Sequence, residues 1–392
     1  MKKITDGNFK QKKVLVRCDF NVPISDSEEV LDDFRIKKSI PTINYLLENG
    51  ARIILMSHLD DPGGKVVERF RLGPIQDKLF EYLDCSIMKA PDCMGAVVKK
   101  AVDAMVGGEI ILLENLRFHP GEEKNDIQFA KKIASLGDYF INDAFGVCHR
   151  NHASVTLLPK YLESFSGFLL EKEISILERL LLKSKHPLTL IVGGAKISTK
   201  IKLVERFLNI ADNIILGGAI ANTVCMAKGF KVGKSLIEKE MVSIIQQKWN
   251  LTNIKLHLPL DVVVAKNHDI KSDVGLKGVG NVDKDEIILD IGPDTIKLFK
   301  QIIKDSSTVI WNGPLGFIEK EDFIKGTREI ASFLSEISSF RVVGGGETVS
   351  LLVKLGFEDK FDFVSTGGGA MLDFLSGERL PGLEVLGYYK EN

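Results

Sequence analysis

Short apolar runs alternate with stretches of helical periodicity from one end of the chain to the other, the signature of a parallel α/β sheet. In the first half the strand-like runs are Val14–Arg17, Arg52–Met56, Ile110–Leu113 and Tyr139–Ile141. Between them Ile36, Ile40, Ile43 and Leu47 recur at helical spacing, and Asn49-Gly50 supplies a C-terminal stop. A further helix is predicted to start at Asn125-Asp126, carry Phe129 and Ile133, and end at Gly137. The rhythm breaks over residues 160–167. After it, Phe168–Leu182 is amphipathic and several turns long, which makes it a connector between two domains. In the second half Leu258–Ala265 and Thr308–Trp311 read as further strands, and Leu380–Leu386 as a structured loop.

The second half also repeats one junction: an apolar run, two or three glycines, then a helical pattern. It occurs at Gly193-Gly194, Gly217-Gly218, Gly344-Gly345-Gly346 and Gly367-Gly368-Gly369. Glycine allows close backbone approach and positive φ, and a helix starting there aims free N–H groups at a ligand. That combination favours phosphate, so several such turns on one sheet edge point to a polyphosphate nucleotide. Two other glycine patterns are decoys. Gly229–Ser235 is one residue short of a Walker A loop and follows a helix, and Gly275–Gly280 reverses a dinucleotide fingerprint and reads as a surface loop.

The first half lacks these turns and instead sets basic residues just past its strands. Arg17, Asp19 and Asn21 are spaced by two, so an extended backbone projects them to one face. Arg35 sits where a helix begins, unfavourable to the dipole unless an anion lies beside it. His58, Arg117 and Arg150 follow three further strands. In open parallel sheets ligands bind beyond the carboxyl ends of strands, so together these residues form a phosphate and carboxylate clamp. The bland readings of each alone are a solvated ion pair and a core histidine. His149 and His152 have a helical metal-ligand spacing, but Arg150 between them argues against zinc.

Composition narrows the class without adding chemistry. The 392 residues suffice for two α/β domains, and a formal net charge of −1 gives no global attraction to nucleic acid or anionic membrane. The N-terminus has no signal-peptide core, and no stretch is apolar enough to span a bilayer. Five scattered cysteines, an odd number, are unlike a disulfide framework and fit a reducing cytoplasm.

With these residues assembled, the chain resembles the phosphoglycerate kinase family from about Lys10 to Leu386. The resemblance is carried by Val14–Pro23, Glu114–His119, Asn142–Gly146, Gly193–Lys200, Trp311–Pro314 and Ser365–Ala370. It implies an α/β fold of two Rossmann-like doubly wound domains joined by a helical hinge. Residues 1–168 would bind 3-phosphoglycerate, with 383–392 returning to that domain, and 169–382 would bind nucleotide. The implied reaction is reversible phosphoryl transfer between 1,3-bisphosphoglycerate with ADP and 3-phosphoglycerate with ATP, Mg²⁺-dependent, in a cytoplasmic monomer. The resemblance further implies that Arg17, Asp19, Phe20, Asn21, Arg35, His58, Arg117 and Arg150 bind the glycerate substrate. Arg35, Lys196, Lys200, Gly367 and Gly368 would act on the transferring group. Gly217, Gly218, Asn312, Glu319, Gly345, Gly346, Glu347 and Thr348 would join Lys200 around the nucleotide, with Glu347 at the metal.

Two positions depart from the family pattern. Where the family has Gly-Arg-Pro after the strand that ends before His58, this chain has Asp60-Asp61-Pro62, an acid in place of a basic residue. Glu347 stands where an Asp is usual, one methylene longer. Asp61 favours an alternative reading, a catalytically weak paralogue kept as a metabolite-binding protein. A nicotinamide-dependent dehydrogenase would need a Gly-x-Gly-x-x-Gly turn that is missing. ADP binding as against NAD binding separates these.

Overall fold

The computed structural model describes residues 1–268 and 274–389. Two compact units emerge, Met1–Leu177 joined by the stretch that begins at Gly377, and Glu178–Ser376. The helix Phe168–Leu182 carries the chain from one to the other.

In the first unit the strands are β1 (Lys13–Arg17), β2 (Arg52–Met56), β3 (Ile87–Lys89), β4 (Ile110–Leu112), β5 (Tyr139–Asn142) and β6 (Glu163–Ser166). They form one parallel sheet in the order β3-β4-β2-β1-β5-β6. Its apolar runs follow the strand period of two. Val14 and Val16 enter one core cluster with Ile53, Leu55, Ile110 and Leu112, while Leu15 enters the other with Ile54, Met56 and Ile111. Both faces are covered, so these strands read as unbroken apolar runs rather than alternating ones.

β6 lies in the segment where the strand–helix rhythm of the sequence breaks. Its sequence, Glu163-Ser-Phe-Ser166, has one apolar residue and an exposed start, so only pairing with β5 makes it a strand. The helix after it matches the expected Phe168–Leu182. Its free N-terminal amides meet Asp143, whose Oδ1 accepts from Leu169 N at 2.9 Å and Leu170 N at 3.4 Å. Burial pushes the Asp143 carboxyl up to about 7, against the opposing pull of Thr42 and these two amides.

The second unit holds β7 (Leu188–Val192), β8 (Asn213–Leu216), β9 (Leu256–His257), β10 (Asp261–Ala265), β11 (Gly275–Gly278), β12 (Ile287–Ile291), β13 (Thr308–Asn312), β14 (Phe340–Gly344) and β15 (Phe363–Val364). Six of these make a second parallel sheet, ordered β15-β14-β13-β7-β8-β9. β10 does not join it: with β11 and β12 it forms a separate antiparallel sheet, ordered β11-β10-β12. The run at 258–265 therefore splits. Asp261 at its centre is committed elsewhere, accepting from Thr295 N at 2.7 Å to cap the helix Pro293–Lys304.

The two decoys resolve accordingly. Gly275–Gly278 is a paired strand, not a surface loop. Gly233 has φ +57°, and a Cβ there would lie 2.3 Å from Glu286 O, so its glycine serves packing. That segment follows the helix Gly218–Ala227, the wrong setting for a P-loop. Among the described residues no helix is long and apolar enough to cross a membrane.

Candidate active site

In a doubly wound sheet the crevice for ligand opens where the strand order reverses. In the first unit that point lies between β1 and β5, because β2 continues on one side of β1 and β5 on the other. Arg17 closes β1 there and is 1% exposed. Its guanidinium donates from Nε to Ser154 Oγ at 2.9 Å, from Nη2 to His58 Nδ1 at 3.2 Å, and from Nη1 to Cys18 O. Ser154 in turn donates to the buried Glu122 at 2.5 Å. A hydroxyl thus relays a carboxylate to Arg17 and leaves the outward field basic.

His58 records that field. Burial comes first, and then the charges of Arg17, Arg117, Arg35 and Arg150, in holding its imidazole well below the usual histidine range. It is therefore neutral, and Nδ1 is free to accept from Arg17. His152 is held down to about 4, by burial first and then by Arg117, Arg17, Arg150 and His149. The arginines named from sequence converge, since one imidazole feels all four. Arg117 is itself lowered by burial, with Glu123 opposing and Arg150 and Arg17 adding. Its Nη1 donates to Asp60 O at 2.7 Å.

The strand ends at Arg17, so Asp19, Phe20 and Asn21 lie in a loop rather than on one strand face. Phe20 is fully buried in the core and its amide donates to Ser57 Oγ at 2.9 Å, which anchors that loop. Asp19 is buried and lies 3.5 Å from Arg35 Nη1, which donates to Asn21 O at 2.7 Å. Asn21 Oδ1 accepts from Asp60 N at 2.8 Å. Asp60 takes φ +54°, a conformation that the Gly of the family pattern adopts without strain and Asp tolerates. The Asp61 charge reaches Arg117.

In the second unit the reversal lies between β7 and β13, and the Gly193-Gly194 and Gly217-Gly218 turns are stacked there on the segment that follows β13. Gly193 N donates to Asn312 O at 2.9 Å, Gly194 N to Pro314 O at 2.7 Å, and Gly218 N to Leu315 O at 2.9 Å. The contact is too close for side chains: a Cβ on Gly193 would lie 2.0 Å from Pro314 O, and one on Gly217 2.4 Å from Leu315 Cδ2. Gly217 therefore supports the turn, while Gly218 faces a cavity of about 240 Å³. Gly194, Asn222, Glu319 and Glu347 line the same cavity, with Ile287, Ile288, Leu289, Ile291 and Leu315 as an apolar wall.

Lys200 lies at the floor of the reversal point, 9% exposed, and donates from Nζ to Gly193 O at 2.6 Å and more weakly to Asn312 O at 3.5 Å. Burial lowers its ammonium to about 8, opposed by the Glu347 charge. Lys196, by contrast, is exposed. The Gly344–Gly346 and Gly367–Gly368 turns meet one another, because a Cβ on Gly368 would lie 3.7 Å from Gly345 Cα and Gly346 N. A Cβ on Gly345, whose φ is +100°, would lie 3.2 Å from Asn312 Nδ2. Asn312 Nδ2 and Thr348 Oγ1 are buried without a hydrogen-bond partner, each beside this turn. A buried donor costs free energy unless something pairs with it, and a phosphate oxygen would.

Ser154 and Glu122 escaped sequence reasoning. Ser154 lies in the π-helical turn Ala153–Leu157 and Glu122 in the short helix Pro120–Glu123, and only the tertiary chain from Glu122 through Ser154 to Arg17 gives them a role.

Comparison with known proteins converges on one family. A model described as phosphoglycerate kinase matches residues 4–378. Among curated relatives, the phosphoglycerate kinase of Pelotomaculum thermopropionicum is 43% identical over 388 residues, covering 98% of each chain. That of Moorella thermoacetica is 44% identical over 391 residues, covering 98% of this chain and 99% of its own. Among solved structures, the phosphoglycerate kinase of Coxiella burnetii aligns with TM-score 0.83 at 36% identity over 99% of each chain. That of Pyrococcus horikoshii aligns with TM-score 0.87 at 31% identity over the full length of both.

Proposed function

The chain belongs to the phosphoglycerate kinase family, a phosphotransferase of glycolysis using ATP and ADP, and from that premise we propose how its two units divide the reaction. The arginine cluster at the first reversal point holds 3-phosphoglycerate. Arg17, Arg117 and Arg150, beside neutral His58, take the phosphate end. Asp19 and Asn21 bind the glycerate hydroxyl and carboxylate side, with Arg35 at the reacting carboxylate. The glycine turns and Lys200 hold the nucleotide phosphates, the 240 Å³ cavity takes the base and ribose, and Asn312 and Glu319 contact the nucleotide. One observation carries this reading: a buried, unbalanced lysine standing beside two stacked glycine turns at a sheet reversal.

The chemistry needs no general base, since a carboxylate acceptor is already ionised at neutral pH. What remains is to align the phosphoryl group and neutralise charge that spreads over its oxygens. Arg35 and Lys196 supply mobile cations to it. The Gly367 and Gly368 amides open the helix Gly368–Ser376 and offer N–H donors and a positive dipole end. Because separate units bind the two substrates, they close about Phe168–Leu182 to react. Small-angle scattering should show compaction only with both substrates present, and an unchanged radius of gyration would count against closure.

The residues fit a magnesium ion. Glu347 is an exposed carboxylate in the first turn of the helix Gly346–Lys354, and Thr348 Oγ1 beside it is unpaired, both hard oxygen donors. When bound, Mg²⁺ would neutralise phosphate charge there. The reading also includes a cytoplasmic chain, supported by five free cysteines, and a monomer, as the resemblance implies.

The assay that tests the function couples ATP-dependent phosphorylation of 3-phosphoglycerate to NADH oxidation through glyceraldehyde-3-phosphate dehydrogenase. Turnover that stops with EDTA and returns with Mg²⁺ is expected. Turnover indifferent to both would remove Glu347 as a metal ligand, and none at all from ADP-binding protein would favour the weak paralogue. In the same assay Asp61→Arg should lower the KM for 3-phosphoglycerate about tenfold, since one charge-assisted contact is worth roughly 1.5–3 kcal/mol. An unchanged KM would mean the anion field is already complete without it.

A further inference from the structure

Just beyond Arg117 in the chain, His119 meets two residues of different ligand chemistry. Asp92, Cys93 and His119 present a carboxylate oxygen, Sγ and a ring nitrogen that all lie within 4.8 Å of one another. Asp92 and Cys93 come from the loop before the helix Ala96–Ala104, and His119 from the end of the short turn Leu116–Phe118. The approach is already built, because His119 Nε2 lies 2.7 Å from Asp92 Oδ1 and Asp92 Oδ1 also accepts from Cys93 N at 2.6 Å. His119 packs its ring against Phe129, with centroids 5.7 Å apart, which limits its rotation.

We propose that Asp92, Cys93 and His119 form a binding site for a borderline divalent cation of the zinc type. Sulfur, imidazole and carboxylate in one cluster are the donors that such an ion prefers, whereas Mg²⁺ takes oxygen ligands. Zinc distances of about 2.0–2.3 Å place neighbouring ligand atoms roughly 3.3–3.8 Å apart in a tetrahedron. The Asp92–His119 contact must therefore open by about 1 Å, a side-chain adjustment. Cys93 is fully buried, while the Asp92 and His119 side chains are 45% and 25% exposed, so an ion can enter from solvent on their side. The fourth position is left for water.

A bound metal deprotonates its thiol outright, and binding releases the Cys93 proton to solvent.

The test uses Co²⁺ as a spectroscopic stand-in on the whole, reduced protein without nucleotide. A near-ultraviolet sulfur-to-cobalt charge-transfer band and visible bands of tetrahedral intensity are expected at one equivalent, displaced by Zn²⁺. Cys93→Ser should abolish the charge-transfer band. Asp92→Asn and His119→Gln should each weaken Co²⁺ binding at least tenfold, and these decide the matter if Cys93→Ser does not fold. Absence of the band in the unaltered protein, or its survival in folded Cys93→Ser, overturns the site. Unchanged affinity in both other variants does so equally.

Discussion

Lys200→Met is expected to lower kcat by about a thousandfold while leaving the folded protein as stable as before, within about 1 kcal/mol. The ammonium is nearly buried, and its hydrogen bonds go to the carbonyl oxygens of Gly193 and Asn312. Carbonyls satisfy its protons without cancelling its charge, so the charge is held ready for an incoming phosphate. Met fills similar volume, loses those hydrogen bonds, and removes the desolvation penalty of a buried cation. The gain and loss in stability nearly offset, whereas the electrostatic contribution to transfer has no substitute.

The pH dependence gives a second readout of the same residue. Its folded value of about 8 lies below the ordinary 10.5. Between those values the unfolded chain binds more protons than the folded one, so Lys200 destabilises the fold below about pH 8 and its penalty fades as pH rises to 10.5. Activity runs the opposite way, since the charged form is needed. The value of kcat/KM for nucleotide should fall above about pH 8, and the limb for kcat should lie higher because bound phosphate holds the proton. Urea midpoints and pH profiles of both proteins check this. A Lys200→Met enzyme within tenfold of the parent would place the phosphate elsewhere.

Arg35→Ala should reduce kcat/KM for 3-phosphoglycerate by about a thousandfold, roughly 4 kcal/mol of transition-state stabilisation, with ADP affinity unchanged. Arg35 lies in the first turn of the helix Phe34–Glu48, where a cation opposes the dipole, and its side chain is 26% exposed. It is held by Asn21 O at 2.7 Å and Asp19 at 3.5 Å, too loosely exposed for its removal to cost much stability. The Asp19 carboxylate is the anion that makes a cation tolerable at this helix start. Arg35→Lys keeps the charge and loses the planar fork, so it should recover only part of the rate. Unimpaired turnover in the alanine variant, measured in the coupled assay, would remove Arg35 from the reacting groups.

The elements most legible in the sequence were strands buried on both faces and the long amphipathic helix. β1, β2 and the helix Phe168–Leu182 emerged within a residue of their expected bounds, because unbroken apolar runs and helical spacing follow directly from burial. Strands that owe their existence to a neighbour stayed hidden: β6 has too few apolar residues, and β11 carries two glycines in four positions. The same division holds at the site. Glycine turns and post-strand arginines mark the edges proposed to bind anions by residue type alone. The sequence by itself therefore determined the fold class and the family, and it set the residue types from which the two anion sites are proposed.

Tertiary structure decided the electrical state of those sites. That His58 is neutral, that Lys200 is lowered to about 8, and that Ser154 relays Glu122 to Arg17 all depend on contacts between residues far apart in the chain. It also decided that Asp19 and Asn21 leave the strand that Arg17 closes, instead of sharing its face. Residue type sets what a group can do. Burial and the charges brought beside it set which protonation state it holds, and neither is a property of local sequence.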